Sequence, residues 1–183
     1  MLDPVAPLGN ASFDGFCKIR EIGPLGMISL RAKPDVAGLA KAIKAAVGTE
    51  VPAKRRIVTA GERACGWMSP DEYLLILPYG ETGAAMAAIA EAMGADHHLA
   101  AVVSDARAVF RVEGEKAHQV LAKLSPVDFD TLEPNELRRT RAAQVAAAMW
   151  KVEGGYCVVC FRSVASYMMG LLTHSAMPGS ELS

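Results

Sequence analysis

Apolar positions along this chain change period several times, and each change marks an element. Ile19 to Ile22 and Met27 to Leu30 are short apolar runs flanking Gly23-Pro24-Leu25-Gly26, a pattern that predicts a hairpin. Pro34 and Asp35 then open a stretch in which Val36, Leu39, Ala40, Ile43 and Val47 recur at helical spacing until Gly48 ends it. Trp67 and Met68 lead into Ser69-Pro70-Asp71-Glu72. In this tight turn Pro70 sets φ, Ser69 or Asp71 can bond the backbone, and Asp71 and Glu72 are expected to be exposed. Tyr73 to Leu77 is nearly continuously apolar and is closed by Pro78 and Gly80, which reads as an inner strand buried on both faces. Thr82 to Met93, stopped by Gly94, is an alanine-rich helix with little bulk, suited to close packing.

The second half follows the same plan. Ala108 to Val112 is a strand, and Gly114 precedes a helix with Ala117, Val120, Leu121 and Leu124 on one face. Thr140 to Val152 and Tyr156 to Phe161 predict a hairpin around Glu153-Gly154-Gly155. Ser163 is placed to cap a last helix bearing Val164, Tyr167, Met168, Leu171 and Leu172. The order β-α-β-β-α thus occurs twice, in about 30–95 and 107–174, with Trp67 and Trp150 each on the first strand of a long hairpin. The expectation is an α+β fold with pseudo-duplicated β-α-β-β-α halves and helices on one side of a mixed or antiparallel sheet. A single domain over 16–176 carries both halves. Residues 1–15, with Pro4, Pro7, Gly9, Asn10 and Gly15, form an extended N-terminal arm suited to lying on a partner.

Composition narrows the class. The 183 residues are 51% hydrophobic and 21% charged, enough for a sizeable core. A formal net charge of -1 advertises neither nucleic acid nor a membrane surface as a partner. No apolar stretch approaches the ~20 residues that cross a bilayer. Met1-Leu2-Asp3-Pro4 lacks the basic start and apolar core of a signal peptide, and four cysteines without secretory features read as reduced thiols. A cytoplasmic protein is expected.

Candidate chemistry is sparse. Cys157-Val158-Val159-Cys160 has the spacing of a zinc or redox pair, but its spacer is two β-branched residues inside a strand. Positions i and i+3 of a strand face opposite ways, so buried thiols are expected. His97-His98 follows a helix end and reads as a solvated turn. His118 and His174 sit on helices with no ligand at i+4. Gly23-Pro24-Leu25-Gly26 has the wrong spacing for a dinucleotide loop, and Pro24 removes a donor. Asp105 with Arg107 reads as a turn-forming acid paired to a structural arginine. Arg138, Arg139 and Arg141 could grip a carboxylate such as folate's glutamate tail, or could mark a face that is solvated or covered by a partner subunit. Trp67 and Trp150 are candidates for interface anchors or core. The expectation is therefore no catalytic, cofactor-binding or metal residue in this chain.

The run Gly66-Trp67-Met68-Ser69-Pro70-Asp71-Glu72-Tyr73-Leu74-Leu75-Ile76-Leu77 resembles a hairpin typical of the gamma subunit of heterotetrameric sarcosine oxidase, and more loosely of the folate-binding aminomethyltransferase superfamily. The resemblance extends over most of 60–175. It takes in Val103-Ser104-Asp105 running into the strand 106–112, then Gly114-Glu115-Lys116-Ala117 before Leu121, and Pro126-Val127-Asp128. Arg139-Thr140-Arg141-Ala142-Ala143 and the ending Phe161-Arg162-Ser163-Val164-Ala165-Ser166-Tyr167 complete it. Residues 1–55 match only loosely.

The resemblance implies a fold like the folate-binding domain of aminomethyltransferases and a non-catalytic subunit acting in assembly and stability. The complex as a whole oxidatively demethylates sarcosine to glycine, a step of sarcosine catabolism. Its FAD, FMN and NAD would sit with the alpha and beta subunits and its zinc with the delta subunit, while tetrahydrofolate serves as one-carbon acceptor. The implied partners are those alpha, beta and delta subunits. In isolation a surface built to be covered is able to self-associate. A stand-alone folate-binding aminomethyltransferase-like protein is the alternative, and a dimeric folate-binding module like that of tRNA-modifying GTPases is a third reading. Binding of a reduced folate by the isolated chain separates both from the subunit.

Overall fold

A computed structural model describes residues 4–182; Met1 to Asp3 of the expected arm, and Ser183, lie outside the described residues. In chain order the strands and helices of the first half are β1 (Ser12–Asp14), β2 (Lys18–Ile22), β3 (Leu25–Arg31), α1 (Leu39–Val47), β4 (Ile57–Ala60), β5 (Arg63–Ser69), β6 (Glu72–Pro78) and α2 (Thr82–Met93). Then come β7 (Leu99–Val102), β8 (Arg107–Glu113), α3 (Ala117–Ala122), β9 (Leu137–Ala142), β10 (Val145–Val152), β11 (Gly155–Phe161) and α4 (Ala165–Ser175). They form two antiparallel sheets where one was expected. The orders are β1-β2-β8-β11-β10-β9 and β4-β5-β6-β3-β7. Contacts group the chain into a unit spanning Leu25–Asp105 and a second unit that joins the segment ending at Pro24 to everything from Ala106 on.

In the Leu25–Asp105 unit, β6 lies between β5 and β3, and all five residues from Tyr73 to Leu77 are buried. One face of the sheet packs on α1 and α2 through Ile28, Leu30, Tyr73 and Leu75 against Ile43 and Ile89. In the other unit β11 takes the matching place between β10 and β8, and Phe110, Met149 and Val158 pack on α3 and α4 through Leu121, Met168 and Leu172. The two-residue loop Pro70-Asp71 joins β5 to β6, with a bulge between Trp67 and Ser69.

Several expectations are corrected. Ile19–Ile22 and Met27–Leu30 do not form a hairpin: β2 pairs with β1 and β8, β3 with β6 and β7. Their apolar faces join different cores, Ile19 with Phe110 and Ile28 with Leu75, and an apolar run does not by itself name its partner. The run 140–152 is two strands, because Ala143 takes a left-handed φ of 51° and its amide donates to the Leu124 carbonyl at 2.7 Å. Nothing in Ala143-Gln144 carries the Asn-Gly signature of such a turn. α1 starts at Leu39 rather than Pro34, since Gly38 donates its amide to Asp96 Oδ2 at 2.8 Å and the residues before it form isolated turns. Ser163 makes no cap; it sits in a 3-10 turn, and α4 begins after Val164 without a side-chain cap.

The arm also differs from the expectation. Ser12–Asp14 is a strand paired to β2, and the buried Glu21 carboxylate accepts the amides of Leu8 at 3.0 Å and Asn10 at 2.9 Å. Asp71 and Glu72 are half-buried rather than bare. Asp71 accepts from Ser69 Oγ at 2.9 Å and Arg31 at 3.1 Å, bonds that hold its carboxyl below the usual range, and Glu72 opens β6 beside Ser29.

Leu75, with no exposed surface, tests the inner strand. Leu75→Ala should cost about 2–5 kcal/mol. Leu75→Asp should leave no cooperative melt, because it buries an unpaired charge. A Leu75→Asp variant that melts like the parent would contradict the position of β6.

Candidate functional site

The inner strands β6 and β11 are apolar, and polar groups gather at strand ends and on β2, β8 and β9. The β10–β11 turn is one such strand end. Gly155 must be glycine: a Cβ there would lie 1.9 Å from the Val112 carbonyl oxygen across the ladder to β8. Gly114 donates its amide to the Gly154 carbonyl at 2.9 Å, which ties the turn to the start of α3. Beside this glycine floor opens a cleft of about 500 Å³ walled by Phe129, Tyr156, His118, Asp130 and Lys151. Phe129 and Tyr156 meet edge to face at 5.5 Å, and the Tyr156 hydroxyl donates to the Phe129 carbonyl at 3.5 Å. Burial raises the Tyr156 hydroxyl pKa. His118 Nε2 stands 3.9 Å from Asp130 Oδ1, an ion pair only when the imidazole is protonated. The cleft is thus an open amphipathic hollow with one His–Asp pair and one ammonium.

A second polar cluster lies on β2, β8 and β11. Arg20 grips Glu113 with two bonds of 2.8 and 2.9 Å, and Arg111 Nε approaches the same carboxylate at 3.5 Å. The bonds from Arg20 hold the Glu113 carboxyl below the usual range. Arg111 also donates to the Glu153 carbonyl at 2.9 Å and to Cys157 Sγ at 3.8 Å. Sequence reasoning missed this cluster, whose signal is an Arg-x-Glu alternation on β8 that puts Arg111 and Glu113 on one face.

The residues singled out in the sequence do not converge. Cys157 and Cys160 lie on β11, both buried, with Cys160 in the helix-side core and Cys157 against Arg111. Burial pushes the Cys157 thiol up and the Cys160 thiol up to about 11. His97 and His174 are exposed, and His98 Nδ1 lies 2.8 Å from the Asp96 carbonyl oxygen. Asp105 accepts the Tyr79 hydroxyl at 3.1 Å, while Arg107 lies over the Phe161 ring at 4.1 Å. Arg139 and Arg141 are exposed on one face of β9, and Arg138, on the other, pairs with the buried Glu136 at 2.8 Å. Trp150 is buried, and Trp67 packs half-buried on the α1–α2 core. Among the described residues no group of three or more His, Cys, Asp or Glu is placed to hold a metal ion, and no helix is long and apolar enough to cross a membrane.

The fold is shared with glycine cleavage system aminomethyltransferase T from Bartonella henselae. That match has a TM-score of 0.62 at 13% identity, over 83% of this chain and 44% of that one. Within this fold the chain belongs to the sarcosine oxidase gamma subunit family, whose model matches residues 31–176. Sarcosine oxidase subunit gamma from Corynebacterium sp. (strain P-1) is 30% identical over 148 residues, 79% of this chain and 71% of that protein. The corresponding Arthrobacter subunit is 32% identical over the same shares. A chain of the heterotetrameric sarcosine oxidase from Corynebacterium sp. U-96, solved in complex with pyrrole 2-carboxylate, superposes with a TM-score of 0.79 at 26% identity, covering 87% of this chain and 83% of that chain.

Two outcomes check this site. Cys157 and Cys160 should react with a thiol reagent at pH 8 only as fast as the protein unfolds, and both should react at once in denaturant; rapid labelling of the folded chain would contradict their burial. The folded-state pKa of Glu113 lies below its unfolded value of ~4.3, so its contribution is present above that value and is lost as pH falls below it through the folded-state pKa. Glu113→Gln should therefore cost up to about 1 kcal/mol in urea melts at pH 7. The difference should shrink at pH 3.5, and an unchanged gap would contradict the Arg20 pairing.

Proposed function

We propose that this chain serves as the non-catalytic gamma subunit of a cytoplasmic heterotetrameric sarcosine oxidase, where it acts in assembly and stability. The observation that carries the reading is the fit to a chain of such a heterotetramer over 87% of the present sequence. In this reading the alpha, beta and delta subunits are its partners, and the flavins, NAD and zinc of the complex sit with them. The polar groups of the chain support the same role, since Arg20, Arg111 and Glu113 are engaged with one another and both β11 thiols are buried. Phe161 and Tyr167, about half exposed, offer apolar surface of the kind a partner covers.

We also propose that the two units repeat one plan. Each runs strand, helix, three-stranded meander, 3-10 turn and helix: β3-α1-β4-β5-β6-α2 and β8-α3-β9-β10-β11-α4. The sheet orders β4-β5-β6-β3-β7 and β9-β10-β11-β8-β2 support the repeat strand for strand, with β2 from the N-terminal segment standing where β7 stands in the other.

Co-expressed with its alpha, beta and delta subunits, the chain should co-purify with them in a fixed ratio of one to one. A fully active flavoenzyme of undiminished half-life assembled in its absence would overturn the assembly role. Titrated alone with a reduced folate, the chain should show no saturable binding. Micromolar binding would favour a stand-alone folate-binding protein instead.

A further inference from the structure

We propose that the outer edge of β7 is a strand-addition site, filled in the assembled enzyme by an extended segment of a partner subunit. This deepens the assembly role proposed above and rests on it. β7 ends its sheet and pairs with β3 alone. The Val103 amide donates to the Met27 carbonyl at 2.8 Å, and with Ser29 opposite Ala101 the ladder turns the amides and carbonyls of 99 and 101 inward. Those of Ala100 and Val102 point out from the edge, where no described residue bonds them.

The other edge strands carry protection against pairing that β7 lacks. β1 has three residues and ends in Asp14, β9 holds Arg138, Arg139 and Arg141, and β4 is bracketed by Lys54-Arg55-Arg56 and Glu62-Arg63. β7 reads Leu99-Ala100-Ala101-Val102, with no charge, proline or bulge, and leaves Leu99 60% and Val102 48% exposed.

The six-stranded sheet indicates the occupant. There β2 holds, beside β8, the place that β7 holds beside β3, and β2 is covered by one further antiparallel strand, Ser12-Phe13-Asp14. Among the described residues β7 has no such cover. Only an extended backbone offers donors and acceptors at the alternating spacing of Ala100 and Val102. Val102 lies opposite the buried Ile28 on the helix-packed face, so the added segment should set an apolar residue beside it. A second copy fits poorly: four residues of β7 pairing with themselves bury far less than the ~1,200 Å² of a stable interface.

The test uses the heterotetramer purified through a tagged alpha subunit, with backbone amide exchange read for this chain in the complex and in isolation. Amides 100 and 102 should exchange at least tenfold more slowly in the complex, and amide 101, already paired to β3, should not change. Ala100→Pro removes an outward donor, which an edge strand tolerates, and Val102→Lys adds an edge charge. Both variants should keep the melting temperature of the isolated chain and lose most of the co-purified subunit. Equal exchange at 100 and 102 in both states, with the wild-type chain present in the complex, overturns the strand addition and leaves the assembly role standing. Protection that grows with concentration in the isolated chain makes the occupant a second copy and also overturns it. Failure of the wild-type chain to co-purify overturns the assembly role and the site together.

Discussion

Two strands buried on both faces organise everything else in this protein. Tyr73–Leu77 in β6 and Tyr156–Cys160 in β11 each run through five consecutive buried residues. A strand with no water on either face must pair its whole backbone with neighbours on both sides. This requirement puts β5 and β3 beside β6, and β10 and β8 beside β11. Each inner strand then leaves directly through a 3-10 turn into a helix, which covers one face of its own sheet. Charges fall on other strands instead, where Arg20 on β2 and Arg111 on β8 converge on Glu113, and the cleft beside Gly154 and Gly155 opens at the β10–β11 turn.

Much of this was legible in the residues. The apolar run after Pro70-Asp71 marked β6, the limits of α2 matched Thr82 to Met93, and Glu153-Gly154-Gly155 marked the β10–β11 turn. What failed was partner choice. Ile19–Ile22 and Met27–Leu30 are adjacent in sequence and equally apolar, and only the long-range ladders to Val112 and Leu75 reveal that they belong to different sheets. The turn at Ala143-Gln144 was hidden because alanine seldom takes a left-handed φ, and here a tertiary bond from its amide to Leu124 accompanies it. β1 escaped notice because its place depends on the ladder to β2, beside which Glu21 gathers the amides of Leu8 and Asn10 from 13 and 11 residues away.

The candidate chemistry divides in the same way. The opposed faces of Cys157 and Cys160 followed from strand periodicity alone, whereas Arg138, Arg139 and Arg141, read as one group, divide between the two faces because β9 already begins at Leu137. The His118–Asp130 pair did not, since it joins a helix to a loop and no spacing in the sequence signals it. Family membership adds what physical chemistry of one chain cannot, namely the assembly in which these surfaces are used. Under the assembly role proposed above, the apolar sheets, the paired charges of Arg20 and Glu113 and the exposed edge of β7 serve that one purpose.

That account is tested most directly by the kinetics of the assembled complex carrying His118→Ala, Asp130→Asn or Lys151→Ala in the β10–β11 cleft. The account predicts kcat and KM for sarcosine, and their pH profile, within about twofold of the parent, since side chains that neither touch nor position the reacting groups leave the transition-state free energy unchanged. A tenfold or larger fall in kcat, or a shifted pH profile, in a complex of unchanged composition would place chemistry on this subunit and contradict it.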